Sequence, residues 1–240
     1  MVNPNRKKRI ILTLLGIIFL GVFGFFIYNT VFYPADETAQ AALGSDENVI
    51  VSQTGYGYFF DGPSEENLLI FYPGAKVDEV AYAPLIHNLA EKGMDVCLVH
   101  MPFHFALYNR NKADSILSEY TSYENYYIGG HSLGGAVASI YASGHGELLS
   151  GIILLAAYPA KPLPDSLTEI SVYGSEDGVL NFDKLEENKK YAPAESYYYV
   201  IQGGNHAGFG NYGPQHGDSD AEVTKEEQQK QTVEFIFSLL

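Results

Sequence analysis

A single cysteine, Cys97, and no tryptophan occur in this chain of 240 residues. One thiol permits no intramolecular disulfide, so stability must rest on a buried core, for which the length and the 46% apolar content suffice. Cys97 lies in an apolar run with no cationic neighbour, which points to a structural thiol rather than a nucleophile. Positive charge is scarce as well, with 14 Lys+Arg against 29 Asp+Glu and a net charge of −15. Arg6, Lys7, Lys8 and Arg9 are four of those cations, so the remainder carries 10 against 29, a net −19. That balance excludes nucleic acid as a partner and disfavours strongly anionic substrates. There is no internal repeat and no low-complexity tract.

Charge is absent altogether from residues 10–27, where Thr13 carries the one hydroxyl. This stretch has about the length a bilayer requires. The four cations precede it, and Tyr28, Phe32 and Tyr33 follow it, before Asp36 and Glu37. Basic residues inside and aromatics at the interface predict one transmembrane helix with the bulk of the chain extracytoplasmic. The stretch exceeds the roughly 7 to 15 residues of a signal-peptide core, which favours an uncleaved anchor. Cleavage near Ala39-Gln40-Ala41, releasing a secreted protein, is the alternative. The predicted organisation is a basic tail and anchor over 1–33, a linker over 34–47 and an α/β domain over 48–240.

Within that domain short β-branched or aromatic runs alternate with helical segments. VIVSQ and YGYFF form an antiparallel-looking pair, and LLIFYPG, DVCLVHMP, YYIGG, GIILLAA, EISVYG and SYYYVIQ follow as strands. VDEVAYAPLIHNLAEKG, KADSILSEY, LGGAVASIYASG and FDKLEENKKYAP read as the intervening helices. In the last segment Thr224 and Glu227 have capping-box spacing, and Val233, Ile236, Phe237 and Leu240 share a face. Such alternation predicts a mostly parallel sheet of about eight strands with helices on both faces.

Three strand ends carry candidate chemistry. Gly130-His131-Ser132-Leu133-Gly134 has the GxSxG spacing that puts a serine on a strained strand-to-helix turn. A serine that merely caps the helix is the alternative there. A serine hydroxyl needs an imidazole to take its proton and a carboxylate to orient that imidazole, in the chain order Ser, acid, His. Asp177 follows the strand EISVYG, and His206 follows SYYYVIQ. Glu176, Asp165 and Asp183 compete for the acid, and His216 competes for the base. His131 adjoins the serine along the chain, but its side chain should diverge from it. The oxyanion of an attacked carbonyl requires two N–H donors, for which Leu133 and Ala75 are the candidates, with Lys76 as the alternative to Ala75. Asp218, Asp220 and Glu222 lack the glycine and terminal glutamate of a calcium loop and read as acids ahead of a helix, so no metal is expected.

Taken together, GHSLGG, YGSEDGV and GGNHAGFG resemble the α/β-hydrolase fold superfamily. Within it they are similar to lid-poor, membrane-anchored bacterial serine hydrolases related to dienelactone hydrolase and small carboxylesterases. The resemblance covers residues 49–240, and FYPGAKVDEVAYAPL looks like that group's oxyanion segment, with Pro73-Gly74 where many relatives have His-Gly. Dienelactone hydrolases proper use a cysteine nucleophile, whereas this chain has Ser132. The resemblance implies ester cleavage through an acyl-serine, a small-molecule ester substrate and no cofactor. A noncatalytic membrane-tethered binding module with the same fold, or an acyltransferase or peptidase using the same triad, are the alternative functions. The ten residues 160–169 leave no room for a helical cap, so the site should be open, with walls from Lys76, Phe103, His104, Phe209 and Tyr212.

Overall fold

The computed structural model describes residues 4–240. Residues 1–3 of the basic tail lie outside it, as do the side chains of residues 4–7, 26 and 28, including the flanking Arg6, Lys7 and Tyr28. The chain divides into one unit that ends at Phe32 and a second that spans Tyr33–Leu240. Helix α1, Pro4–Thr30, makes up most of the first unit, and its 27 residues extend for about 40 Å. Its apolar window Lys8–Phe25 is wholly exposed and, by length and composition, long enough to cross a membrane.

The second unit opens with the short helix α2, Glu37–Ala41, followed by strands β1, Ile50–Thr54, and β2, Gly57–Asp61. Then come β3, Asn67–Tyr72; α3, Ala83–Glu91; β4, Met94–Val99; α4, Lys112–Glu119; β5, Asn125–His131; and α5, Leu133–Ala142. The chain closes with β6, Gly151–Leu155; β7, Thr168–Gly174; α6, Phe182–Asn188; β8, Glu195–Ile201; and α7, Lys225–Phe237. Among the described residues eight strands form one sheet in the order β1-β2-β4-β3-β5-β6-β7-β8. The β1–β2 and β2–β4 pairs are antiparallel and all others are parallel.

Residue alternation along the central strands builds two cores. Leu69, Phe71, Val96, Leu98, Ile153 and Val172 face the layer containing α3 and α7, where they meet Leu85, Ile86, Val233 and Ile236. Leu68, Ile70, Cys97, Ile152 and Leu154 face Ile116, Val137, Ala138 and Tyr141 of α4 and α5. Covered on both sides, β3, β4 and β6 are buried at every position, which is why their sequences are nearly continuous apolar runs. Cys97 is fully buried, and burial pushes its thiol far above the ordinary range.

Three local expectations change. The segment read as a linker is folded: Ala35 bridges Tyr212, the Asp36 N–H donates to Asn211 O, and Ala39 of α2 is fully buried. The helix expected from residue 77 onward begins as a 3-10 turn over Glu79–Tyr82, and α3 starts only where Pro84 occupies its first turn. Thr224 does cap α7 by accepting from the Glu227 N–H, but Leu240 lies beyond the helix and is exposed. Gln228, Gln229 and Thr232 fill the buried face instead.

Glu169 in β7 is fully buried, and neither of its carboxylate oxygens has a hydrogen-bond partner among the described residues. Burial pushes its pKa up to about 7. A carboxyl raised in the folded state stabilises fully below its unfolded value, and that contribution is lost as pH climbs through the folded one. About 3 kcal/mol of stability should therefore disappear between pH 4.5 and 7. Thermal melting of the detergent-solubilised chain at pH 5 and pH 8 checks this, because Glu169→Gln should flatten the difference.

Candidate active site

The β5–α5 connection consists of Ser132 alone. Its backbone sits at φ 52° and ψ −122°, a strained conformation for a residue with a side chain. The turn holds because Gly130 and Gly134 allow the β3 exit to press against it: a Cβ on either would lie 2.4 or 2.2 Å from Tyr72 O. Although Ser132 occupies the cap position of α5, its side chain makes no capping hydrogen bond. The hydroxyl is thus not consumed by the turn. The Leu133 N–H, first in the helix, has no intrahelical acceptor. Across from it the Lys76 N–H donates to His104 O at 2.8 Å, whereas the Ala75 N–H meets no acceptor among the described residues.

Asp177 and His206 come together from the ends of β7 and β8. His206 Nδ1 lies 2.8 Å from Asp177 Oδ2, and both side chains are buried. The other Asp177 oxygen accepts the N–H groups of Val179 at 2.9 Å and Leu180 at 2.7 Å, so the carboxylate is fully engaged. His206 Nε2 is buried without a hydrogen-bond partner among the described residues, Ser132 included. It lines a cavity of about 240 Å³ together with Ser132, Leu133, Ala156, Tyr158 and Leu180. The competing residues are placed elsewhere. Glu176 accepts from the Ser175 hydroxyl, and His216 is exposed with its N–H on the Tyr33 hydroxyl.

A family model for the alpha/beta hydrolase family matches residues 68–230. The chain belongs to the alpha/beta hydrolase family. Solved structures share its fold at low identity. A bacterial membrane phospholipase A described as a virulence factor is 12% identical, covering 97% of this chain and 99% of its own, with a TM-score of 0.58. Dienelactone hydrolase from Anabaena variabilis is 12% identical, covering 80% and 97%, with a TM-score of 0.55. Est1E from Butyrivibrio proteoclasticus is 13% identical over 80% and 98%, with a TM-score of 0.53. No curated protein matches the sequence.

In this alpha/beta hydrolase the residues behind the triad candidates were not apparent from sequence. The His131 ring packs on His206 at 4.5 Å. Its Nδ1 lies 2.8 Å from the Tyr82 hydroxyl, which also accepts the Gly74 N–H of the β3 exit. Burial, reinforced by the neighbouring His206, holds the His131 imidazole well below the ordinary histidine range, so it stays neutral. Gln228 of α7 grips the residue before the base, accepting from the Asn205 N–H and donating to Asn205 O. Asp218, read as one acid ahead of a helix, takes the N–H groups of Gly178, His206 and Ala207 and so ties the acid loop to the base loop. The buried Gln228-Gln229-Thr232 stripe on an otherwise apolar face was the available signal for this support.

The expected cavity walls need correction. Phe209 is fully buried in the core against His131, and Tyr212 is buried beside Tyr33. Phe103 is exposed and packs edge-on to Tyr108, His104 faces Glu79, and Lys76 lies on the β3 exit; none lines the serine cavity. Its wall is instead mostly small and aliphatic, because the loops after β6 and β7 supply Ala156, Ala157, Val179 and Leu180 beside Tyr158 and Asn181. Among the described residues no cluster of three or more His, Cys, Asp or Glu side chains is arranged to hold a metal ion.

Proposed function

We propose that this chain is a membrane-anchored serine hydrolase that cleaves carboxylic esters through an acyl-serine intermediate. The observation that carries the reading is His206, with Nδ1 held by buried Asp177 at 2.8 Å and an unpartnered Nε2 on the cavity it shares with Ser132. Nε2 takes the Ser132 proton as Oγ bonds to the ester carbonyl carbon, and Asp177 stabilises the resulting imidazolium. The Leu133 and Ala75 N–H groups receive the oxyanion. Collapse breaks the bond to the alkoxy oxygen, which leaves with the His206 proton. Water, deprotonated by the same nitrogen, then releases the acid and restores Ser132.

Apolar walls suit an uncharged acyl group, and a volume of about 240 Å³ seats a short or medium chain or the carbonyl-proximal part of a longer one. For the anchor, α1 supplies the length and apolarity, and the likeness to the membrane phospholipase A extends over 97% of this chain, hence into α1. The basic tail would lie in the cytoplasm and the catalytic unit outside. Incubating the full chain in detergent with p-nitrophenyl butyrate should release nitrophenolate; no release above a buffer control would sink the reading.

A further inference from the structure

Two residues, Val31 and Phe32, separate α1 from the folded unit, so at most about 11 Å of extended chain joins Thr30 to Tyr33. The place where that chain enters the fold is specific. Tyr33 bridges Val77, and its N–H donates to Lys76 O at 2.6 Å while its own carbonyl accepts from the Asp78 N–H. The Lys76 N–H in turn donates to His104 O. The incoming chain, the β3 exit bearing Ala75 and the loop between β4 and α4 are thus one hydrogen-bonded ladder, at the carboxyl ends of the strands where Ser132 lies.

The loop on that ladder is unlike the rest of the surface. Phe103, Leu107 and Tyr108 are 44%, 52% and 53% exposed, within six residues of one another. Arg110 is exposed just beyond them, and Lys112 follows. Residues 96–113 contain no acid, in a chain that carries 29. Glu79, the carboxylate that reaches this loop from a neighbouring element, is engaged by His100 at 2.7 Å and faces His104 at 3.9 Å. An aromatic and aliphatic tip flanked by cations is the composition that settles at a bilayer interface. The net acidity of the chain beyond its basic tail disfavours an unselective approach to anionic lipid.

We propose that this loop, through Phe103, Leu107 and Tyr108 with Arg110 and Lys112 beside them, rests on the bilayer that α1 spans, and that Ser132 draws its ester from the lipids of that bilayer. The inference rests on the anchored serine-hydrolase reading and adds the substrate class, acyl esters of membrane lipids. The reaction breaks the acyl–oxygen bond of a lipid ester, with water giving its hydroxyl to the fatty acid and its proton to the lipid alcohol.

The absence of tryptophan supplies the test, since one introduced tryptophan is a unique reporter. Full chain carrying Leu107→Trp is reconstituted in phosphatidylcholine–phosphatidylglycerol vesicles with or without brominated acyl chains. Its emission should fall by about twofold with bromine. Leu148→Trp, on an exposed turn just before β6 and so at the opposite, amino end of the parallel strands, should stay unchanged. Equal quenching at both positions, or none at Leu107→Trp, overturns the docking loop. The double variant Leu107→Ser, Tyr108→Ser should lose about tenfold in hydrolysis of vesicle lipid while keeping turnover of p-nitrophenyl butyrate. A parent chain that cleaves the soluble ester but no vesicle lipid overturns the substrate assignment. One that cleaves neither overturns the hydrolase reading beneath it, and the docking loop is then judged by quenching alone.

Discussion

Ser132→Ala is expected to lower kcat for an ester by about 10⁴- to 10⁶-fold while leaving the melting temperature essentially unchanged. The hydroxyl makes no capping bond, and the turn is held by the backbone pair Ser132 N–H to Leu155 O and by the close approach at Gly130 and Gly134. Alanine keeps all of these and loses only the hydroxyl. What survives should be the modest acceleration that an oxyanion site and binding provide without a nucleophile. A loss below tenfold, measured by steady-state kinetics on p-nitrophenyl butyrate, would show that Ser132 is a turn residue and nothing more.

Asp177→Asn should cost about 10⁴-fold in kcat with little change in KM. Asparagine preserves one carbonyl oxygen, which can go on accepting the Val179 and Leu180 N–H groups, so the loop keeps its shape. Its amide nitrogen then confronts His206 Nδ1, where the carboxylate oxygen now lies at 2.8 Å. That contact forces Nδ1 to accept, moves the imidazole proton to Nε2 and removes the atom that should receive the serine proton. The buried imidazolium also loses its counter-charge. Circular dichroism should report an intact fold, which distinguishes this loss from simple unfolding.

The two variants also mark where sequence reasoning ends. Strands buried on both faces, such as β3 and β6, announce themselves as continuous apolar runs, so the sheet and its helices could be read directly. The order of Ser132, Asp177 and His206 followed from residue types at strand ends, because such ends are fixed by local pattern. What could not be read were contacts made across the chain. Asp218 binds the backbone at Gly178, 40 residues earlier, and nothing in its local sequence distinguishes it from the exposed acids nearby. Phe209 and Tyr212 look like pocket aromatics in a glycine-rich loop, yet that loop folds inward and buries both rings. The segment at residues 33–47 has a spacer's composition, but backbone hydrogen bonds to Lys76 and Asn211 tie it down.

The most direct measurement of the central claim is the mass of the full chain after exposure to a fluorophosphonate, followed by peptide mapping of the adduct. One phosphonyl group is expected on the peptide that contains Ser132, and none on Ser132→Ala. An unmodified parent chain, or an adduct on any other residue, would contradict the claim.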